Sequence, residues 1–380
     1  MDEYEATTTP QAGRDTRGAE AGPKETRALH RLGQSVWLDN ITREILESGT
    51  LKRYIDELAV TGLTSNPTIF DHAITYSGAY DGAIVELTRR GLSAEAIFFE
   101  LAVQDLTRAA DLFGPIYSRT SGVDGLVSLE VSPLLAHDTA TTVRQAKELH
   151  RRAGRENLMI KIPGTREGLP AIEEAIFAGV PVNVTLLFSR EHYLAAADAY
   201  LRGLERRLAA GEGADIPSVA SLFVSRWDVA VSGKVPSELR HRLGIAVGRQ
   251  VYRAYRELLA SNRWQRLANA GARPQRLLFA STGTKDPEAH DALYVEGLAA
   301  PNTVDTMPEK TLLAFADHGE LRGAIPQDGG DAEEVLAAFH RAGVDLGRLA
   351  VRLQEDGAKA FVASWEELMA AIERKGSSTH

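Results

Sequence analysis

The stretch Leu158-Met159-Ile160-Lys161-Ile162-Pro163-Gly164-Thr165 sets one lysine inside an apolar run of strand length, just ahead of a Pro-Gly turn. A continuous run of this kind, bounded by turn residues, suits a strand covered on both faces, as in a parallel sheet. An ammonium in such a wall loses hydration that apolar neighbours do not replace, which favours the neutral amine. Neutral amines attack carbonyls and form Schiff bases. The competing reading is a structural lysine paired with a buried carboxylate, because ion pairs also hold lysines inside proteins.

Working outward, short apolar segments recur at Ser35–Leu38, Val60–Thr64, Leu126–Val131, Leu158–Ile162, Val180–Val184, Val219–Val224, Arg276–Ala280 and Thr303–Thr306. Helical patterns separate them, and eight strands alternating with helices predict an α/β protein of the (β/α)8 TIM-barrel class. Ala94–Leu112 and Arg240–Leu259, the latter with Ser237 as N-cap, fall in long connections, so extra helices are expected after the second and sixth strands. Ala332–Ala342, Leu346–Gln354 and Ala358–Lys375 predict a helical C-terminal region, to which no chemistry is assigned. Residues 1–28 lack apolar periodicity and read as a disordered tail, leaving 29–380 as a single barrel domain.

Composition narrows the chemistry. The 380 residues are 44% hydrophobic, enough for a large core, and include no cysteine, which excludes disulfides and thiolate chemistry. The ten histidines contain no H-E-x-x-H and no dense ligand cluster; His137, His150 and His192 read as surface or capping residues, and no metal or cofactor is expected. No apolar run reaches membrane-spanning length and no signal segment opens the chain, so a cytoplasmic protein without membrane partners is expected. The formal net charge of -9 argues against nucleic-acid binding. An anionic substrate would then need a local basic pocket. Association with further copies of the chain is left open.

In a (β/α)8 barrel the active site forms at the C-terminal ends of the strands, and residues two apart share a face. Trp37 and Asp39 share one; so do Thr64 and Asn66, Ser128, Glu130 and Ser132, Met159 and Lys161, and Asn183 and Thr185. Ser221 aligns with Phe223, Arg226 lies just beyond that strand, and Ser281 ends the seventh with Lys285 four residues on. A lysine, two carboxylates and several amides and hydroxyls at one mouth have the composition of a reaction centre. Asp39 and Glu130 are candidates for base and proton donor, or simple counter-ions to Lys161. Arg226, Lys285 and Ser281 supply the basic pocket a phosphate monoester needs. The turn Pro163-Gly164-Thr165-Arg166-Glu167-Gly168 is a weaker phosphate candidate, lacking the Walker spacing.

Two motifs carry a family resemblance: Gly62-Leu63-Thr64-Ser65-Asn66-Pro67-Thr68-Ile69-Phe70, and Met159-Ile160-Lys161-Ile162-Pro163-Gly164-Thr165-Arg166-Glu167-Gly168-Leu169. With further similarity at Asn183–Ser189, Ser221–Arg226, Ala280–Lys285 and Asn302–Pro308, the chain resembles the transaldolases of the longer bacterial type over nearly everything after the tail. The resemblance implies cofactor-free transfer of a dihydroxyacetone unit between sugar phosphates. It implies Lys161 as Schiff-base lysine, Asp39 as the group exchanging the proton of the hydroxyl beside the cleaved bond, and Glu130 with Thr185 as handlers of a proton-carrying water. Asn66 and Asn183 would bond substrate hydroxyls, with Ser221 and Phe223 beside them, and Arg226 and Ser281 would hold the phosphate. Where many shorter transaldolases carry a second arginine this chain has Gly283, and Lys285 is the candidate replacement. The related fructose 6-phosphate aldolases typically have glutamine in place of Glu130. A Schiff-base aldolase and a non-catalytic sugar-phosphate binding barrel are the alternative functions.

Overall fold

The computed structural model describes residues 24–377. Eight strands form one closed parallel barrel in sequence order: β1 (Gln34–Asp39), β2 (Val60–Thr64), β3 (Val127–Glu130), β4 (Leu158–Pro163), β5 (Val182–Leu187), β6 (Ser218–Phe223), β7 (Gln275–Ala280) and β8 (Thr303–Met307), with β8 pairing back onto β1. This is the expected (β/α)8 TIM barrel. All eight expected strands are present. The largest boundary shift is at β5, where Pro181 has no N–H to give a ladder and the strand runs on to Leu187.

Inside the barrel, size is matched across neighbouring strands. Trp37 is fully buried, and Gly62 on β2 leaves it room: a Cβ there would come within 2.5 Å of the indole. The indole Nε1 donates to Asp124 Oδ1 at 2.8 Å. Asp124 also accepts from Ser35, whose hydroxyl oxygen accepts from Arg276 Nη2 at 2.7 Å. This polar plug closes the end of the barrel remote from the strand C-termini.

The expected extra helices lie where predicted, after β2 and β6. The first, Ala94–Arg119, is capped by Ser93 and runs past its expected end at Leu112. The second differs at its start: Ser237 opens a 3-10 turn, Ser237–Leu239, and the α-helix begins at Leu243. Its cap comes from a neighbouring helix, where the Asp228 carboxylate accepts the Leu243 and Gly244 N–H groups, each at 3.0 Å. No local pattern could reveal such a cap.

Two further boundaries are corrected. Residues 24–28, assigned to the tail, belong to the helix Lys24–Leu32, whereas the rest of the expected tail, residues 1–23, lies outside the described residues. Of the three expected C-terminal helices the last two are one, Leu346–Ser377, continuous through Gly357. It crosses from the helices after β2 to the strand ends, where Gln354 Nε2 donates to the carbonyls of Gly164 at 3.0 Å and Leu186 at 2.9 Å. No described helix is long and apolar enough to cross a membrane.

Candidate active site

Strand register fixes the centre. Glu130 pairs with Lys161 across β3 and β4, and Lys161 with Asn183 across β4 and β5, so three polar side chains form one row inside the barrel. Lys161 is 5% exposed, its Nζ donating to the Ser65 carbonyl at 2.8 Å and lying 3.3 Å from Glu130 Oε1. The contact with Glu130 is an ion pair without good hydrogen-bond alignment, and both Glu130 oxygens are otherwise without a partner. Burial pushes the Glu130 carboxyl above the ordinary glutamate range, partly offset by Lys161, while Asp39 adds to the rise.

Asp39, at the end of β1, accepts from Thr64 Oγ1 at 2.7 Å, and that hydroxyl also meets Thr306 Oγ1 at 2.7 Å. Burial raises the Asp39 carboxyl, against the lowering influence of Lys161, the Thr64 hydrogen bond and Lys285. Two carboxyl groups therefore flank one amine, each held toward protonation by loss of water.

Above this row opens a cavity of about 900 Å³ whose walls include Asp39, Asn66, Lys161, Thr185, Ser221, Phe223, Arg226, Ser281 and Lys285. Nine of the predicted site residues thus converge. Asn66 is fixed by its own cap, Oδ1 accepting the Ile69 N–H at 3.1 Å, and Thr185 Oγ1 is buried without a partner. Glu130 lies behind Lys161, facing a smaller void lined by Phe70, Phe98 and Trp365. Asn183 is fully buried below the cavity floor, donating to Ser128 Oγ at 3.0 Å and accepting from Ser221 Oγ at 2.7 Å. In this structure it reaches the cavity through Ser221.

At the far wall, the Arg226 guanidinium lies over the rings of Phe223 at 5.2 Å and Phe361 at 5.9 Å. No carboxylate among the described residues pairs with it, and burial pulls its pKa below the usual arginine value. A half-buried cation held by aromatic faces with its donors free is prepared for an anion. Ser281, in the left-handed region at φ 57°, shares a hydrogen bond between hydroxyls with Ser225 at 2.8 Å. Lys285 stands exposed at the rim. The rival phosphate turn is spent internally: Thr165 Oγ1 donates to the Ala136 carbonyl at 2.6 Å and accepts the Gly168 N–H at 3.1 Å.

A model of the family described as Transaldolase/Fructose-6-phosphate aldolase matches residues 36–372. The chain belongs to the transaldolase/fructose-6-phosphate aldolase family. Curated relatives carry the same name. A transaldolase of Thermobifida fusca is 48% identical over 350 residues, covering 90% of this chain and 95% of the relative. One of Saccharopolyspora erythraea is 47% identical over 352 residues, 91% of this chain and 96% of its own length. Transaldolase 2 of a Nostoc species is 40% identical over 366 residues, with 91% and 96% covered.

Membership makes the chain an enzyme, and the transaldolase signatures quoted above occupy the exit of β2 and β4 from Met159 onward. At Gly283 a Cβ would lie 3.1 Å from Thr311 Oγ1 and 3.2 Å from Pro308 Cγ, closer than an ordinary contact. Sequence reading placed Thr64 on the face of Asn66 without giving it a role, and missed Thr306 and Phe361. Thr306 was open to the same face argument, being two residues after Val304 on β8. Phe361 gave no local signal, because only the path of the C-terminal helix brings it over Arg226.

Proposed function

We propose that this chain transfers a dihydroxyacetone unit from a ketose phosphate, such as sedoheptulose 7-phosphate or fructose 6-phosphate, to an aldose phosphate, such as glyceraldehyde 3-phosphate or erythrose 4-phosphate. This is a step of the non-oxidative pentose phosphate pathway, run in the cytoplasm without a cofactor. The observation that carries the reading is Lys161 Nζ at the cavity floor, 3.3 Å from Glu130, with Asp39 on the same cavity wall and carboxylate-free Arg226 beyond.

The amine attacks C2 of the ketose, and the carbinolamine loses water to give an iminium. Glu130, behind the amine, exchanges the protons of that step through a water that the free Thr185 hydroxyl can hold. Asp39 takes the C4 hydroxyl proton as the C3–C4 bond breaks, and the bonding electrons enter the iminium to leave an enamine. The aldose phosphate departs. An acceptor aldehyde then takes the new bond at C3, and its oxygen receives the proton back from Asp39. Hydrolysis returns the amine. Asn66, Ser221 and Phe223 orient the carbon chain, with Asn183 fixing Ser221 from below, while Arg226, Ser281 and Lys285 hold the phosphate. Residues 24–377 act as one domain in this reading, since Phe361 of the C-terminal helix lines the cavity beside Arg226.

The test is release of free dihydroxyacetone from fructose 6-phosphate, with and without erythrose 4-phosphate. A transferase releases little and consumes donor only when acceptor is added. Equal release without acceptor would assign the chain to the aldolase branch of the family instead.

A further inference from the structure

Away from the barrel mouth, the loop after β7 and the end of the helix Glu309–His318 bring His290, Asp291 and His318 together, with one ligand atom from each inside a 4.8 Å spread. The geometry points to a binding site for a divalent transition-metal cation of the zinc class, built from these three side chains. Sequence spacing conceals it, because 27 positions separate Asp291 from His318.

Three features distinguish the cluster from an ordinary group of surface charges. First, each imidazole has a carboxylate outside the trio near one nitrogen: His318 Nδ1 lies at hydrogen-bond distance, 3.1 Å, from Asp317 Oδ2, and His290 Nδ1 lies 3.6 Å from Glu296 Oε2, an ion-pair distance only. At His318 a hydrogen-bonded carboxylate of this kind orients the ring and makes the other nitrogen a better ligand, the arrangement that outer residues of metal sites adopt. Second, the other nitrogen of His318, Nε2, is turned inward to 2.9 Å from Asp291 Oδ1. Third, Glu296 is itself anchored, its Oε1 accepting the Glu320 N–H at 2.8 Å.

Two imidazoles and one carboxylate select against magnesium and calcium, which take oxygen ligands, and suit zinc. Tetrahedral zinc with ligands near 2.1 Å sets them about 3.4 Å apart, so closure from the present spread needs a shift of about 1.4 Å. The imidazole rings, 5.7 Å apart at their centroids, are on exposed side chains, and closure exchanges the His318–Asp291 contact for bonds to the metal. Water would complete the coordination, which makes the site an exchangeable one. Closure ties the loop that carries Lys285 to the helix that follows β8. The metal therefore acts as a clamp on that loop, independently of any part in sugar chemistry.

Equilibrium dialysis of the tag-free chain against Zn2+, with Mg2+ as control, tests the site. One Zn2+ per chain and no retained Mg2+ are expected, with binding weakened about tenfold or more in His318→Ala and Asp291→Asn. Hydrogen exchange in residues 284–292 should slow when Zn2+ is added and not when Mg2+ is. Neither substituted position is buried, so the fold is expected to survive, which the circular dichroism of each variant verifies. Absence of stoichiometric zinc, or equal uptake by the wild type and His318→Ala, would overturn the proposal and reduce the cluster to an ion-paired surface group.

Discussion

In the proposed reaction Asp39 has the most exacting task of any single side chain, since there it must be ionised to take a proton while burial favours its neutral form. The acid limb of kcat/KM should therefore stand above the ordinary aspartate value of 3.8, and a limb at or below that value would contradict the assignment. Asp39→Asn should keep the fold and lower kcat by about 10²–10⁴, the usual worth of a placed general base. Arg226→Ala removes the cation that no described carboxylate neutralises. Loss of a charge-assisted bond of about 1.5–3 kcal/mol should raise KM for phosphorylated sugars by about one to two orders of magnitude, with a smaller effect on kcat, as steady-state kinetics would show. Lys161 was legible in the sequence because a lysine amid Leu158, Ile160 and Ile162 contradicts its surroundings, and Asp39 and Glu130 because strand alternation aims them inward. Asn183 was legible as an inward residue only. Period-2 reasoning gives the face of a side chain and not its height, so it could not tell that Ser221 stands between Asn183 and the cavity.

Among the elements, the helix Leu346–Ser377 does most that the sequence concealed. The gap expected between Gln354 and Ala358 is absent, and the helix continues through Gly357, which lies close to the barrel: a Cβ there would sit 2.9 Å from Leu186 Cδ2 and 3.1 Å from Arg226 Nη1. Helix propensity favours Gly357→Ala by about 1 kcal/mol, but the added methyl presses on the guanidinium. We expect KM for phosphorylated sugars to rise severalfold, and an unchanged KM would show that Arg226 yields without consequence. The start of the helix Leu243–Ala260 was misread for a related reason, since its cap, Asp228, belongs to another helix. Asp228→Ala strands two buried N–H groups and should cost about 1–3 kcal/mol each in denaturant unfolding. Strands were easier to read than helix ends, because apolar runs record burial directly whereas caps depend on what packs nearby.

For the whole molecule, the barrel closes at a cost visible on β8. Asp305 is fully buried, neither oxygen accepts a well-formed hydrogen bond, and burial pushes its carboxyl up to about 8, with Thr282 a weaker opposing influence. The folded chain then holds a proton that the unfolded chain releases above its ordinary value of 3.8. Stability from this group is greatest below that value and falls as pH rises toward about 8, by up to about 1.4 kcal/mol per pH unit. Asp305→Asn should flatten the decline, so that its advantage over the wild type in denaturant midpoint grows between pH 5 and pH 8; a constant difference would show that Asp305 is solvated or paired in solution. Closure of the barrel also gives the chain its chemistry, by bringing strands far apart in sequence to one mouth around one amine. The most direct test is borohydride reduction of the enzyme with fructose 6-phosphate, followed by peptide mapping. The account predicts an added three-carbon or six-carbon mass on Lys161 alone, and none in Lys161→Ala. An adduct on another lysine, or trapping that survives that substitution, would contradict it.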